Sequence, residues 1–155
     1  MGYYVRAFCT SETIPSLAQV EQELKAAWPA VRFETEDDRH AVPWEGVEFY
    51  YSDAAEPILV ELNVNDAPDS MAAEEAQEFI DELEDVEDEA AKAKVVKHLQ
   101  ATRYVVCCQF LGDVPDEGFE ANEKLLDIFV AKYGGLVQAD GEGFYEGSDL
   151  LIDMS

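Results

Sequence analysis

Basic side chains are what this sequence has least of. Ten Lys and Arg stand against 35 Asp and Glu in 155 residues, a formal net charge of −25. Phosphate recognition needs clustered Lys and Arg, so direct nucleic-acid binding is not expected, and neither is docking on an anionic membrane surface. No apolar run approaches membrane-spanning length, and the opening "MGYYVRAF" lacks a signal-peptide layout. Gly2 is followed by Arg6 where a myristoylation signal wants Ser or Thr, so no lipid anchor is expected there. A cytoplasmic location is the resulting expectation.

Cysteine and histidine are nearly as scarce. Cys9, Cys107 and Cys108 form neither a zinc spacing nor an even disulfide framework. Cys107 and Cys108 are adjacent in an apolar run, where strand alternation sends them to opposite faces, so reduced and buried thiols are expected. His40 and His98 lack a metal-ligand partner at helical spacing. A Cys9–His40 nucleophile pair is open in principle, but a buried thiol and a surface histidine is the simpler reading. There is no phosphate-binding glycine loop and no Gly-x-Ser-x-Gly elbow. The sequence therefore assigns no catalytic residue, no metal and no cofactor, and an enzyme is not expected.

Apolar residues make up 48% of the chain, enough for one sizeable core at this length. The chain reads as a single domain over 1–155: a first half at 3–63, an acidic helical connector at 70–101 and a second half at 103–154. The strand-like "YYVRAFC" (3–9) and "RYVVCCQF" (103–110) are each followed by an amphipathic helix. In the first helix Ser16 and Gln19 form a capping box, Leu17, Val20, Leu24, Ala27 and Trp28 make the apolar side, and Pro29 stops it. The second carries Phe119, Leu126, Phe129, Val130 and Tyr133, with Gly134 as terminator.

Short apolar segments follow each helix, at 31–34 and 136–139. "EGVEFYYSDAAEPILVEL" (45–62) then resembles "EGFYEGSDLLIDM" (142–154), with "ILVEL" and "LLIDM" agreeing in chemical class at all positions. These parallels predict two similar β-α-β-β halves, with hairpin turns at 53–56 and 146–149. The expected architecture is α+β, a two-layer sandwich with helices on one face of a mainly antiparallel sheet. Its outward face would carry Tyr4, Arg6 and Phe8 beside Val105 and Cys107, too apolar to stay bare. The connector, or a second copy of the chain, is available to cover it.

The connector is the most unusual segment. Residues 73–91 hold ten acidic side chains and no Lys or Arg. Phe79, Ile80, Leu83, Val86 and Ala90 form a helical apolar stripe, with a kink or a second helix expected near residue 89. Acids four residues apart (74/78, 78/82, 81/85, 84/88, 85/89) oppose a continuous helix by about 0.2–0.5 kcal/mol per pair. A surface kept only for solubility normally mixes its signs.

The reading this supports is a non-enzymatic binding protein that docks a basic protein partner. Its concrete form is an immunity protein or inhibitor of a cationic toxin or nuclease. The predicted contact residues are Glu74, Glu78, Asp81, Glu82, Asp85 and Glu89, with Trp44 as an aromatic anchor. Two alternatives stand beside it. One is a small-molecule or catalytic pocket between the halves, lined by Tyr50, Tyr145 and Glu142. The other is a structural homodimer whose acidity serves only solubility or salt adaptation.

Overall fold

The computed structural model describes residues 3–155, so the lipid-anchor question at Gly2 lies outside the described residues. The chain runs β1 (Tyr3–Cys9), α1 (Leu17–Ala27), β2 (Arg32–Glu34), β3 (Gly46–Tyr50) and β4 (Ile58–Val64). The connector follows as α2 (Met71–Glu82), a 3-10 turn at Leu83–Asp85, and α3 (Glu89–Gln100). The chain then continues as β5 (Tyr104–Phe110), α4 (Asp116–Lys132), β6 (Gly135–Ala139), β7 (Gly143–Glu146) and β8 (Asp149–Asp153).

All eight strands join one antiparallel sheet in the order β2-β3-β4-β5-β1-β6-β7-β8. The α+β class and the helix-on-sheet body are as expected, but each half supplies three strands after its helix rather than two. The short apolar segments have become β2 and β6. The central strands β1 and β5 pair from Tyr3–Phe110 to Cys9–Tyr104. From β5 the chain crosses through α4 and returns as β6 on the far side of β1, a split β-α-β unit.

Helix α1 starts where the capping box requires: Ser16 Oγ accepts from the Gln19 amide, and the Gln19 side chain accepts from the Ser16 amide. Its apolar side, Leu17, Val20 and Leu24, packs with Leu125, Leu126 and Phe129 of α4 on one face of the sheet. The connector lies on the opposite face, where Ala76, Leu83, Val95 and Leu99 cover Phe8, Val105 and Phe144. Cys108 joins the first core, Cys107 is buried on the other side, and no cysteine is bonded. Burial lifts the Cys9 and Cys107 thiols to about 12 and the Cys108 thiol well above its ordinary value. His40 is exposed while Cys9 is buried, and neither enters a nucleophile pair.

The internal duplication is not borne out by the sheet. "ILVEL" lies in β4, between β3 and β5, while "LLIDM" covers β8 at the sheet edge. The matched Glu-Gly pairs also differ. A Cβ on Gly46 would meet Val60 O at 3.4 Å, an ordinary contact. Gly143 has φ +139°, and a Cβ there would lie 1.9 Å from Ile152 O. Identical letters thus occupy unrelated backbone environments.

That contrast is testable. Gly143→Ala should cost about 2–4 kcal/mol, from strain at φ and from pushing β8 off β7. Gly46→Ala should stay within about 1 kcal/mol of the parent. Chemical denaturation of the two variants checks this, and equal losses would contradict the different environments.

Candidate functional site

The acidic surface is built by how α2 is fastened down. Ser70 caps it, its Oγ accepting from the Ala73 amide at 3.1 Å. Phe79 is the anchor, meeting the rings of Phe8 and Phe144 edge to face at 5.7 Å each. Beside it Arg6, reaching up from β1, donates Nε to Glu75 and Nη1 to Gln138 at 2.7 Å and to Asp140 at 2.9 Å. Its guanidinium lies 5.3 Å from the Phe79 ring centroid and 5.1 Å from that of Tyr4. Of the acids on α2, Glu75 alone turns inward.

The rest face water. Glu74, Glu78, Asp81, Glu82, Asp85 and Glu89 are all exposed, and among the described residues none is in an ion pair. All four arginines are engaged elsewhere, with Glu75 and Asp140, Glu34, Glu21 and Glu12. The expected break is present: α2 ends at Glu82, and Asp88 caps α3 by accepting from the Ala91 amide at 3.1 Å. This revises the electrostatic cost. Only 74/78 and 78/82 are spaced along one continuous helix, so the opposition falls to about 0.4–1 kcal/mol. The stripe also shifts: Ala91 is buried and Ala90 exposed.

Trp44 does not belong to this surface. It is 3% exposed, packed in the core beneath α1, and its Nε1 donates to Pro15 O at 2.9 Å. A loop Trp between Pro43 and Glu45 reads as an exposed anchor until its indole partner is known.

The structure adds two features that the sequence reading missed. The connector's buried side chains cluster over the β1 and β5–β8 part of the outer face, and an open groove of about 810 Å³ lies over β2–β4. Glu34, Glu36, Glu45, Glu48, Glu61 and Asp66 line it with no Lys or Arg, and it ends at Ser70 and Met71, where α2 begins. Glu34 and Glu48 lie directly opposite each other across β2 and β3. The available signal was alternation within each strand, with Glu34 after Phe33, Glu48 between Val47 and Phe49, and Glu61 between Val60 and Leu62.

The second feature is a pocket of about 270 Å³ between α4 and the strip β1-β6-β7. Tyr145 and Glu142 line it, but Tyr50 does not; Tyr50 lies on β3 and donates its hydroxyl to Glu48. Tyr3 takes the third place. Tyr3 and Tyr145 donate to the two Glu142 carboxylate oxygens at 2.5 and 2.6 Å. Burial and then Glu142 push the Tyr3 phenol above its ordinary value, and the bond to Glu142 raises Tyr145, so both stay protonated donors. No three His, Cys, Asp or Glu side chains converge as a metal site among the described residues, and no described helix is long and apolar enough to cross a membrane.

No protein-family model, curated protein or solved structure matches this chain.

Two stability outcomes follow from the α2 attachment. Arg6→Leu should cost about 2 kcal/mol, below a fully buried pair because Asp140 keeps 38% exposure, and should speed amide exchange in α2 before the rest of the chain. Glu78→Gln relieves both like-charge pairs and should stabilise by about 0.4–1 kcal/mol at low salt, fading at high salt. Denaturation at two ionic strengths, with hydrogen exchange for Arg6→Leu, checks both.

Proposed function

We propose that this chain is a cytoplasmic, non-enzymatic binding protein that docks a basic protein through the carboxylates of α2 and the turn that follows it. In its most concrete form it is an immunity protein or inhibitor that occupies the cationic surface of a toxin or nuclease with carboxylates in place of phosphates. The observation that carries this reading is the set of nine exposed carboxylates on 74–89 without an ion-pair partner among the described residues, while the four arginines pair with Glu75 and Asp140, Glu34, Glu21 and Glu12. The groove over β2–β4 extends the same sign of charge beyond the N-terminal end of α2.

Segregation of charge supports a partner over solubility alone. Helix α2 carries no Lys or Arg, whereas the adjoining α3 exposes Lys94 and Lys97. A second copy of this chain would bring a charge of −25 to a surface of the same sign, which favours a basic partner over a homodimer.

The test is capture from the source organism's lysate at low and high salt, with the parent and with a Glu78→Lys, Glu82→Lys, Asp85→Lys variant. The parent should retain one basic protein at low salt and release it at high salt. The variant should bind that protein at least a hundredfold more weakly, about 3 kcal/mol, without losing its cooperative melt. Equal retention by both chains would show that the docking surface lies elsewhere.

A further inference from the structure

A single sheet of eight strands has two free edges, and this chain treats them differently. At β2 the edge is closed. The Phe33 N–H donates to Glu21 Oε2 at 2.8 Å, the Phe33 carbonyl accepts from Arg39 Nη2, and Arg39 also donates to Glu21 at 2.8 Å. Side chains from α1 and the β2–β3 loop thus stand where the backbone of another strand would bond. At β8 the edge is open. Among the described residues the backbone of Asp149–Asp153 has no hydrogen-bond partner beyond β7.

The side chains along β8 show what kind of strand fits there. Of the four large apolar side chains left exposed among the described residues, Leu150 is the one on a strand, at 46% exposure. It opposes Tyr145, which packs on the core under α1 and α4, while Ile152 opposes Phe144 in the core under the connector. A ninth strand would therefore extend both layers. The guards this edge carries are a bulge at Leu151 and the exposed Asp149 and Asp153. The bulge bends the edge without covering it, and the aspartates repel strands of their own sign. A second copy of the chain, antiparallel over the full strand, would set Asp149 against Asp153 at both ends. A basic strand meets no such penalty.

We propose that the β8 edge receives an extended segment of a partner protein as a ninth strand, with Lys or Arg at two positions four apart and apolar or β-branched residues between them. The two cations stand opposite Asp149 and Asp153 in either strand direction, the backbone groups of β8 find their missing partners, and the residues between cover Leu150. This site is independent of the α2 docking surface, which uses side chains of a helix and not a strand edge.

Amide NMR titration of the full chain with acetyl-Thr-Lys-Val-Thr-Val-Lys-Thr-amide at about 0.15 M salt tests it. The comparisons are the same peptide N-methylated at its five central amides, which keeps the charge and removes the strand hydrogen bonds, and the peptide with Glu for both Lys. The expected result is saturable shifts confined to β7, β8 and their neighbours, with cross-strand NOEs to Leu151 and no shifts at β2. The N-methylated peptide should bind at least tenfold more weakly, and the Glu peptide should be silent. Asp149→Lys with Asp153→Lys should lose the Lys peptide at least tenfold and gain the Glu peptide; if that variant fails to fold, Asp149→Lys alone decides the same point. The Glu78→Lys, Glu82→Lys, Asp85→Lys variant should stay within threefold of the parent. Equal binding of the N-methylated peptide, non-saturating shifts spread over the acidic surface, or loss of the peptide in the α2 variant with full affinity in the β8 variant would overturn the proposal. Concentration-dependent shifts along β8 without peptide, with a dimer in sedimentation, would reassign the edge to a second copy and overturn the basic-strand assignment.

Discussion

The one polar tie among the described residues between the acidic helix α2 and the sheet beneath it is a single cation, set among apolar contacts. Helix α2 brings five acids and no base to a protein already at −25, and it must lie on a sheet face rather than leave it. Arg6 is the residue that makes this possible. A lysine would offer a single charged point, whereas the guanidinium bonds Glu75 through one edge and Gln138 and Asp140 through another, and still lies against Phe79. That combination sets the rotation of α2 about its own axis. With Glu75 and Phe79 turned down, Glu74, Glu78, Asp81 and Glu82 can only point outward, so the acidic surface follows from the way the helix is held.

The same attachment explains the uneven burial of the sheet. Strand β5 is buried along nearly its whole length because α1 and α4 close one face and the connector the other. Strands β3 and β4 alternate between buried and accessible positions because the connector stops short of them. Their accessible positions are where Glu48 and Glu61 sit. On the helical face the cover is more complete, and one of the gaps that remain is the pocket beside Asn122. An acidic outer groove and an acidic inner pocket thus arise from two different incomplete coverings of one sheet.

What could be read from the sequence was local chemistry. The Ser16–Gln19 capping box, the opposite-facing Cys107 and Cys108, and the break before Glu89 each need only neighbouring residues, and each is present. What could not be read was long-range placement. "ILVEL" and "LLIDM" share side-chain classes, but strand order decides which one becomes an interior strand, and no local pattern encodes that. Trp44 is buried by a bond to Pro15, twenty-nine positions earlier. Asn122 stands in phase with Leu125 and Leu126, yet no local pattern marks a polar residue there as buried.

The break in the connector bears on how so acidic a surface can persist. A continuous helix over 73–91 would align carboxylates four apart along its length, each pair opposing it. Ending α2 at Glu82 and restarting at Asp88 removes three of the five pairs from helical spacing and turns one acid into a cap for α3. The carboxylates stay exposed while most of their helical repulsion is relieved. At physiological salt their field decays over about 8 Å, less than the width of one helix. A basic partner of the proposed kind would therefore sense individual carboxylates only at close range, and its selection would rest on how well its surface fits the ridge of α2 beside the groove of β2–β4.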